Sequence, residues 1–368
     1  MARRRKRSFI LRVIRTFFTV FLLMLLGSYL LFSDAGLDPQ AHFPPADAGL
    51  TGDFAENTAL QEGQLLSLRG STSPEDIALH PDGSVWTLTR DGELWRIEGD
   101  RVLAVGRISD DPLGLEWSAD GEALYITDTN IGLLRWTPDG GTEVLVDQLE
   151  GAPLTFANQL AVARDGTVYF SVSTRRWRPQ DFGGTLEASI HDLWEHHTSG
   201  VVVRWSEDQG ARVIARGFNF VNGVAFTPEE DALLIAETGT YTIWRLDLTE
   251  EGATPTPLLE NLPGFPDNLQ AQGDGTYWLG LVSLRRGLAD TLAPYPWVRA
   301  IVWRLPEFVR PTPNPHGLLV RFDANGKILS TLHDPSGEVT AVTGGVVSNG
   351  MLYVSSLSMG AIRALPAP

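Results

Sequence analysis

Six times along this chain a short apolar strand runs into a tight turn and comes back through an aromatic or large apolar residue. Asp82-Gly83, Asp120-Gly121, Asp165-Gly166, Asp274-Gly275 and Asn349-Gly350 mark five of the turns, and Glu229-Glu230-Asp231 stands at the remaining one. Trp86, Tyr125, Tyr169, Leu234, Trp278 and Tyr353 fall early in the return strands. Third strands such as Gly92-Glu93-Leu94-Trp95-Arg96-Ile97 and Gly317-Leu318-Leu319-Val320-Arg321-Phe322 follow. A unit of several short strands bounded by Gly, Asp and Pro, repeated every few tens of residues, is the pattern of propeller blades. A helical solenoid would need a 3.6-residue apolar period in every repeat, and none is present. The fold predicted is all-β, a six-bladed β-propeller with two helical insertions and an N-terminal transmembrane anchor helix. The sixth blade runs out of chain at Pro368, so residues 64 to 68 are expected to supply its outermost strand and close the circle, which removes exposed sheet edges.

The register of the repeat picks out candidate functional residues. Eight places before the turn glycine stand Glu75, Leu113, Asn158, Asp267 and Val342, and Asn222 holds the matching place in the unit that ends at Glu230. If the repeat closes into a ring, these side chains converge on its axis. An isolated Asn or Asp beside a turn ordinarily bonds the local backbone. Four oxygen-bearing residues at one register are a different matter. Glu75, Asn158, Asn222 and Asp267 offer hard oxygen ligands with a total charge of −2, suited to Ca2+ and compatible with Mg2+ or Mn2+. No histidine belongs to the set and the chain has no cysteine, which disfavours zinc and excludes disulfides and thiol nucleophiles. Leu113 and Val342 are expected to line the same channel without binding anything.

Residues 1 to 33 read as a separate unit, a cytoplasmic basic stretch and membrane anchor. Arg3, Arg4, Arg5, Lys6, Arg7, Arg12 and Arg15 precede an apolar run over residues 16 to 32, near the lower length limit for crossing a bilayer. Positive charge stays on the cytoplasmic side, so the propeller is expected outside the cytoplasm, periplasmic or luminal. A cleaved signal peptide is the alternative, with Ser33-Asp34-Ala35 as its small-residue site; the long basic stretch and the lack of Ala-x-Ala favour the anchor. Residues 34 to 60, with Pro39, Pro44 and Pro45, read as a semi-extended linker, and residues 61 to 368 as the propeller. The chain has a net charge of −16, and without its seven N-terminal cations the remainder carries about −23, which argues against nucleic acid as a partner.

Two insertions interrupt the blades. Residues 185 to 197 carry Leu186, Ile190, Leu193, Trp194 and His197 at helical spacing, predicting a helix packed by that stripe on the propeller. Residues 284 to 309 carry Trp297, Val298, Ile301, Val302, Trp303, Leu305 and Phe308 among Arg285, Arg286, Arg299, Arg304 and Arg310. Such a basic, Trp-bearing segment suits a membrane interface, a roof over the channel, or plain outer-surface packing.

At this point the chain resembles a known superfamily along nearly its whole length. The segments that carry the resemblance are Ser73-Pro74-Glu75-Asp76, Phe156-Ala157-Asn158, Phe220-Val221-Asn222-Gly223-Val224-Ala225, Ala236-Glu237-Thr238, Leu262-Pro263-Gly264-Phe265-Pro266-Asp267-Asn268 and Leu352-Tyr353-Val354-Ser355-Ser356-Leu357. They look like the six-bladed propellers of strictosidine synthase-like proteins, SMP-30 gluconolactonases and paraoxonases, and are most similar to the membrane-anchored adipocyte plasma membrane-associated branch. The resemblance implies calcium ligation by Glu75, Asn158, Asn222 and Asp267, and the paraoxonase pattern adds Asn268. Strictosidine synthases use a glutamate near the inner strand of the sixth blade. Thr340-Ala341-Val342-Thr343-Gly344-Gly345-Val346 contains no acid, and Glu338 lies too early in register.

The function expected is therefore a calcium-dependent hydrolase of lactones or aryl esters, an arylesterase-type reaction on a small molecule. The metal polarises the carbonyl and Asp267 serves as base or nucleophile beside Glu75. The alternative is a non-catalytic ligand- or protein-binding propeller with a structural calcium, with strictosidine synthase-type condensation ranked below it. No paraoxonase-like histidine pair is evident, because Asp128 takes the strand-end place in the second blade. His191, His196 and His197 fall in the first insertion and are read as packed or solvated. Trp117, Trp177, Tyr241 and Trp303 are candidates for shaping the pocket.

Overall fold

The computed structural model describes residues 2–33, 36–306, 310 and 312–368. Phe308 and the Asp34-Ala35 portion of the alternative cleavage site lie outside the described residues. Twenty-four of the strands form six four-stranded antiparallel sheets, each following the chain from an inner to an outer strand, except the last. The six inner strands are Ile77–Leu79, Pro112–Trp117, Ala157–Val162, Val221–Phe226, Gly264–Ala271 and Val342–Ser348. They touch one another in a closed cycle, the sixth returning to the first, so the architecture is a six-bladed β-propeller. In the sixth blade the strand Gln64–Ser67 pairs antiparallel with Ala361–Pro366, Gln64 opposite Ala364 and Ser67 opposite Ala361. The N-terminal strand thus closes the ring, at the residues expected.

The turns explain why counting backward works. Gly83, Gly121, Gly166, Gly275 and Gly350 all have φ between 73° and 86°, the left-handed region that favours glycine. Glu230, with φ 58°, takes the same conformation in the fourth blade without a glycine, and so keeps Asn222 in register. Between blades, apolar faces interlock. Trp86, Trp117 and Trp136 stack edge-to-face across the first two blades, with Trp86 and Trp117 centroids 5.1 Å apart at 72°. Trp117 therefore belongs to the inter-blade core and does not shape the pocket.

Among the described residues, four α-helices stand apart from the blades. Helix α1 spans Ala2–Phe32 and contains a 19-residue apolar stretch, Leu11–Tyr29, with no part buried against the rest of the chain. Helices α2 (Thr185–Glu195), α3 (Gly287–Leu292) and α4 (Pro296–Trp303) arise from the two insertions. Residues 36 to 60 are mostly irregular and extended, yet they are fastened along the propeller. Gln40 N donates to Glu195 O at 2.8 Å, His42 N to Ala293 O at 3.3 Å, and Arg285 Nη2 to Pro45 O at 2.6 Å. Leu60, fully buried, enters the core under the fifth and sixth blades.

Candidate metal centre on the propeller axis

Glu75 stands just before its inner strand, and the other candidate ligands sit where the inner strand is locally irregular. The pairing register shifts between Ala157 and Leu160, between Val221 and Val224, and between Pro266 and Leu269, so Asn158, Asn222 and Asp267 lie in bulges, which re-aim side chains. Ser73, Phe156 and Phe220 each stand two residues ahead of a candidate ligand and have φ of 57°, 54° and 55°. Left-handed backbone at a bulky residue is costly and persists where the surroundings enforce it. Here Phe156 and Phe220 meet edge-to-face at 5.2 Å inside a cluster with Leu113 and Ala188. Gly223 lets neighbouring inner strands close on the axis: a Cβ there would lie 2.5 Å from the Asp267 carbonyl oxygen and 2.6 Å from the Leu269 nitrogen.

Glu75, Asn158, Asn222 and Asp267 come together on the wall of one cavity of about 330 Å³. Asn268 is fully buried behind them, its Nδ2 donating to Glu75 O at 3.0 Å, and is not on the cavity surface. Leu113 and Val342 share the register without lining this cavity. Leu113 packs with the two phenylalanines, and Val342 with Trp278 and Leu352 in the core, because apolar side chains at these positions turn to the inter-blade contacts.

The site fits a hard cation. Asn158, Asn222 and Asn268 each have a buried amide oxygen without a hydrogen-bond partner. Their nitrogens are engaged: Asn158 Nδ2 with Ser173 Oγ at 2.9 Å, Asn222 Nδ2 with Asp267 Oδ1, and Asn268 Nδ2 with the Glu75 carbonyl. A carbonyl and a carboxylate accept, which turns the oxygens of Asn222 and Asn268 the other way. A buried acceptor left unpaired costs about 1–3 kcal/mol, so three such oxygens around two carboxylates form a donor set whose chemistry a hard cation satisfies. Burial raises the Glu75 carboxyl well above its usual range, and the charges of Asp267, Asp111 and Asp76 add to this against the opposing Arg90. Burial likewise raises Asp267, against the hydrogen bond from Asn222.

One layer deeper lies an arrangement that the register did not reveal. Asp76 Oδ2 accepts from Leu115 N at 3.1 Å, and Asp76 Oδ1 from Gln159 Nε2 at 3.3 Å and from Gln270 Nε2. Gln159 Oε1 accepts from Val224 N at 3.0 Å and Leu269 N at 2.9 Å, while Gln270 Oε1 accepts from Gly345 N at 3.1 Å. Three side chains thus join the inner strands of all six blades. Burial pushes the Asp76 carboxyl up to about 7 despite these donors. Gln270 also borders a second cavity, of about 300 Å³, so the network divides the channel. Asp76 and Gln159 immediately follow Glu75 and Asn158, and that adjacency was the available signal.

The apolar stripe of the first insertion faces the cavity as well as the propeller. Leu186, Ile190, Leu193 and Trp194 of α2 line the cavity, Leu193 also packing on the propeller cluster of Leu113, Phe156 and Phe220, while Asp192 and Glu195 are buried on the other side. Asp192 accepts from Thr174 Oγ1 at 2.6 Å, and Glu195 from Arg176 Nε at 2.8 Å and Trp177 Nε1 at 3.0 Å. In the second insertion Arg285 pairs with Asp290 at 2.8 Å and lies over Tyr241, and Arg299, only 2 % exposed, donates to Gln40 O at 2.9 Å. The segment is therefore not a basic amphipathic surface, since these arginines bond inward. Tyr241 lines the cavity; Trp177 and Trp303 pack around His191 outside it. His197 bonds Asp38 O at 2.9 Å. Asp128 accepts from Ser109 Oγ and four backbone nitrogens, a structural fastening of the loop with no access to the cavity. Glu338 lies within 3.5 Å of Arg363 away from the cavity.

Only His196 of the three insertion histidines reaches the cavity, stacked on His42 with centroids 3.4 Å apart. Burial, with Arg299 beside both rings, lowers His42 to about 4 and His196 further, and His197 adds to the effect on His196. The folded state then carries fewer protons on this pair than the unfolded chain at pH between about 4 and 6.5, so stability falls as pH drops through that window. Asn tolerates the left-handed conformation of residue 196 (φ 61°), so His196→Asn is expected to flatten the decline in melting temperature between pH 7 and 4.5. Thermal unfolding across that range checks it; an unchanged slope would assign the decline elsewhere.

Comparison with known proteins agrees with this geometry. The chain matches the family described as strictosidine synthase-like, N-terminal, over residues 52–97, and the SMP-30/gluconolactonase/LRE-like region over residues 130–287. Adipocyte plasma membrane-associated protein of Bos taurus is 30% identical over 385 residues, covering 95% of this chain and 90% of its own length. Among solved structures, a gluconolactonase from Xanthomonas campestris superposes with a TM-score of 0.59 at 19% identity, over 91% of this chain and 99% of that one. A calcium-binding protein, regucalcin, from Agrobacterium tumefaciens gives 0.55 at 13% identity, over 89% and 95%. The two structures establish shared architecture alone, while sequence identity sustained along nearly the full length is what places the chain in the strictosidine synthase-like and SMP-30/gluconolactonase propeller family, in the branch of adipocyte plasma membrane-associated protein.

Proposed function

We propose that this protein is a calcium-dependent hydrolase of lactones or aryl esters, held at a membrane by α1 with its propeller on the extracytoplasmic side. The observation that carries the reading is the set of unpaired amide oxygens of Asn158, Asn222 and Asn268 gathered about Glu75 and Asp267 at the base of a largely apolar cavity. Bound there, a divalent ion would supply a Lewis acid for the substrate carbonyl and compensate charge that develops on its oxygen. Asp267 keeps one carboxylate oxygen in the hydrogen bond from Asn222, and its other oxygen is the group that takes a proton from an attacking water or itself attacks the carbonyl. Leu186, Ile190, Trp194 and Phe220 hold an acyl or aryl body and keep bulk water from the carbonyl. The family relationship and the gluconolactonase and regucalcin likenesses support hydrolysis and calcium respectively. For the orientation, the support is the cluster of cations before the apolar helix.

The test is turnover of phenyl acetate and simple lactones by the purified full chain, with and without a calcium chelator. Activity that disappears on chelation and returns with Ca2+ is expected. Stoichiometric calcium binding with no turnover across an ester and lactone panel would replace the hydrolase with a binding propeller that uses calcium structurally.

A further inference from the structure

The outer surface of the roof is as informative as its inner one. Outside α1, the exposed large aromatic side chains among the described residues are Phe43 (81% exposed), Tyr295 (51%) and Trp297 (67%), joined by Leu288 (56%). All four sit on the roof. Leu288 belongs to α3, Trp297 to α4, Tyr295 precedes α4, and Phe43 adjoins His42, whose nitrogen bonds Ala293 between the two helices. The same segment turns Arg285 and Arg299 inward, so what it offers outward is aromatic and aliphatic. Rings with an apolar body and a polar edge are the residues that settle at the headgroup level of a bilayer.

Chain length decides where this face lies. Helix α1 ends at Phe32, and Asp38, six residues on, already donates its backbone nitrogen to Glu195 Oε1 at 2.7 Å, at the end of α2. Even fully extended, six residues reach only about 20 Å. The roof is thereby held close to the point where α1 would leave the membrane, and no other face of the propeller is tied there.

From this we infer that the roof formed by residues 42–43 and 287–303 is a membrane-docking surface: Phe43, Leu288, Tyr295 and Trp297 insert into the headgroup region of the bilayer that α1 crosses, and the cavity opens at that interface. The docking stands independently of hydrolysis. The chemistry of whatever enters the cavity from the bilayer rests on the proposed reaction.

Because the chain contains no cysteine, a single introduced thiol can be labelled uniquely. Full-length protein carrying Phe43→Cys, Leu288→Cys or Trp297→Cys is labelled with an environment-sensitive fluorophore and placed, one chain per disc, in phosphatidylcholine nanodiscs with and without nitroxide-bearing lipid. Glu122→Cys, in the turn that ends the second inner strand on the opposite face, is the reference. Labels at 43, 288 and 297 are expected to shift to the blue and to lose at least half their emission to the lipid nitroxide, with the label at 122 unaffected. Emission at the three roof positions equal to that at 122 would overturn the proposal. A blue shift without nitroxide quenching would also overturn it, assigning the face to a protein partner or a second copy. These residues are exposed, and an unchanged melting temperature shows that each labelled chain is folded. The readout needs no turnover, so loss of docking and loss of the hydrolase reading are separately visible.

Discussion

Asp267→Ala is expected to abolish calcium binding and to lower turnover of phenyl acetate by at least about 1000-fold, equivalent to roughly 4 kcal/mol of transition-state stabilisation. Glu75→Gln is expected to behave alike, because the two carboxylates supply all the formal charge of the ligand set. The more discriminating part of the result is its sign in stability. Without metal, burial and repulsion from neighbouring carboxylates hold Glu75 and Asp267 well above the usual carboxylate range beside three unpaired amide oxygens, which costs folding stability at neutral pH. Neutralising either one relieves that repulsion, so in chelator the variants are expected to melt several degrees above the parent. With Ca2+ at about 100 times its dissociation constant, the parent gains about 2.7 kcal/mol, or roughly 4–5 °C for a propeller of this size, and the variants gain nothing. The two melting curves should therefore cross as calcium is added. A variant that loses activity but keeps the calcium-dependent rise in melting temperature would remove that carboxylate from the metal site.

Gln159→Leu is expected to have the largest effect on folding. It leaves Val224 N and Leu269 N without partners in the closed centre of the ring and removes one of the two donors to Asp76 Oδ1. At about 1–3 kcal/mol for each unpaired buried group, the loss is about 2–6 kcal/mol, corresponding to a fall in melting temperature of roughly 3–9 °C for a propeller of this size. Gln159→Glu keeps the acceptor but sets a second carboxylate against Asp76, and it should be no better. A fall of less than about 2 °C in the leucine variant, by calorimetry, would show that the inner strands hold together without this side chain.

Most of the blade architecture was legible because it is written in local chemistry. Alternating apolar strands and turns that require left-handed backbone specify hairpins within a few residues, and the eight-residue interval from turn to axis is a property of the hairpin alone. That is why Asn222 could be placed although Glu230 replaces the usual glycine. Asn268 entered only through resemblance, since it lies outside the register. Asp76, Gln159 and Gln270 escaped notice for a different reason: each partner comes from another blade, so their value exists only after the ring has closed.

The roof shows the same division most sharply. The stripe of Leu186, Ile190, Leu193 and Trp194 correctly announced a helix, because periodicity is a local quantity. It could not say whether apolar side chains would face a packed core or a cavity. That choice was made by Thr174, Arg176 and Trp177 in the loop before the helix and by Asn219 at the start of a later blade, which draw Asp192 and Glu195 inward. Sequence by itself determined six blades, the closing strand, the apolar N-terminal helix and the four oxygen-bearing positions on the axis. Tertiary structure alone decided which of those atoms go unpaired, what fastens the ring beneath them and which side of the roof faces outward. Strands and turns answer to neighbours a few residues away, whereas a buried polar group answers to whatever the whole fold brings within about 3 Å of it.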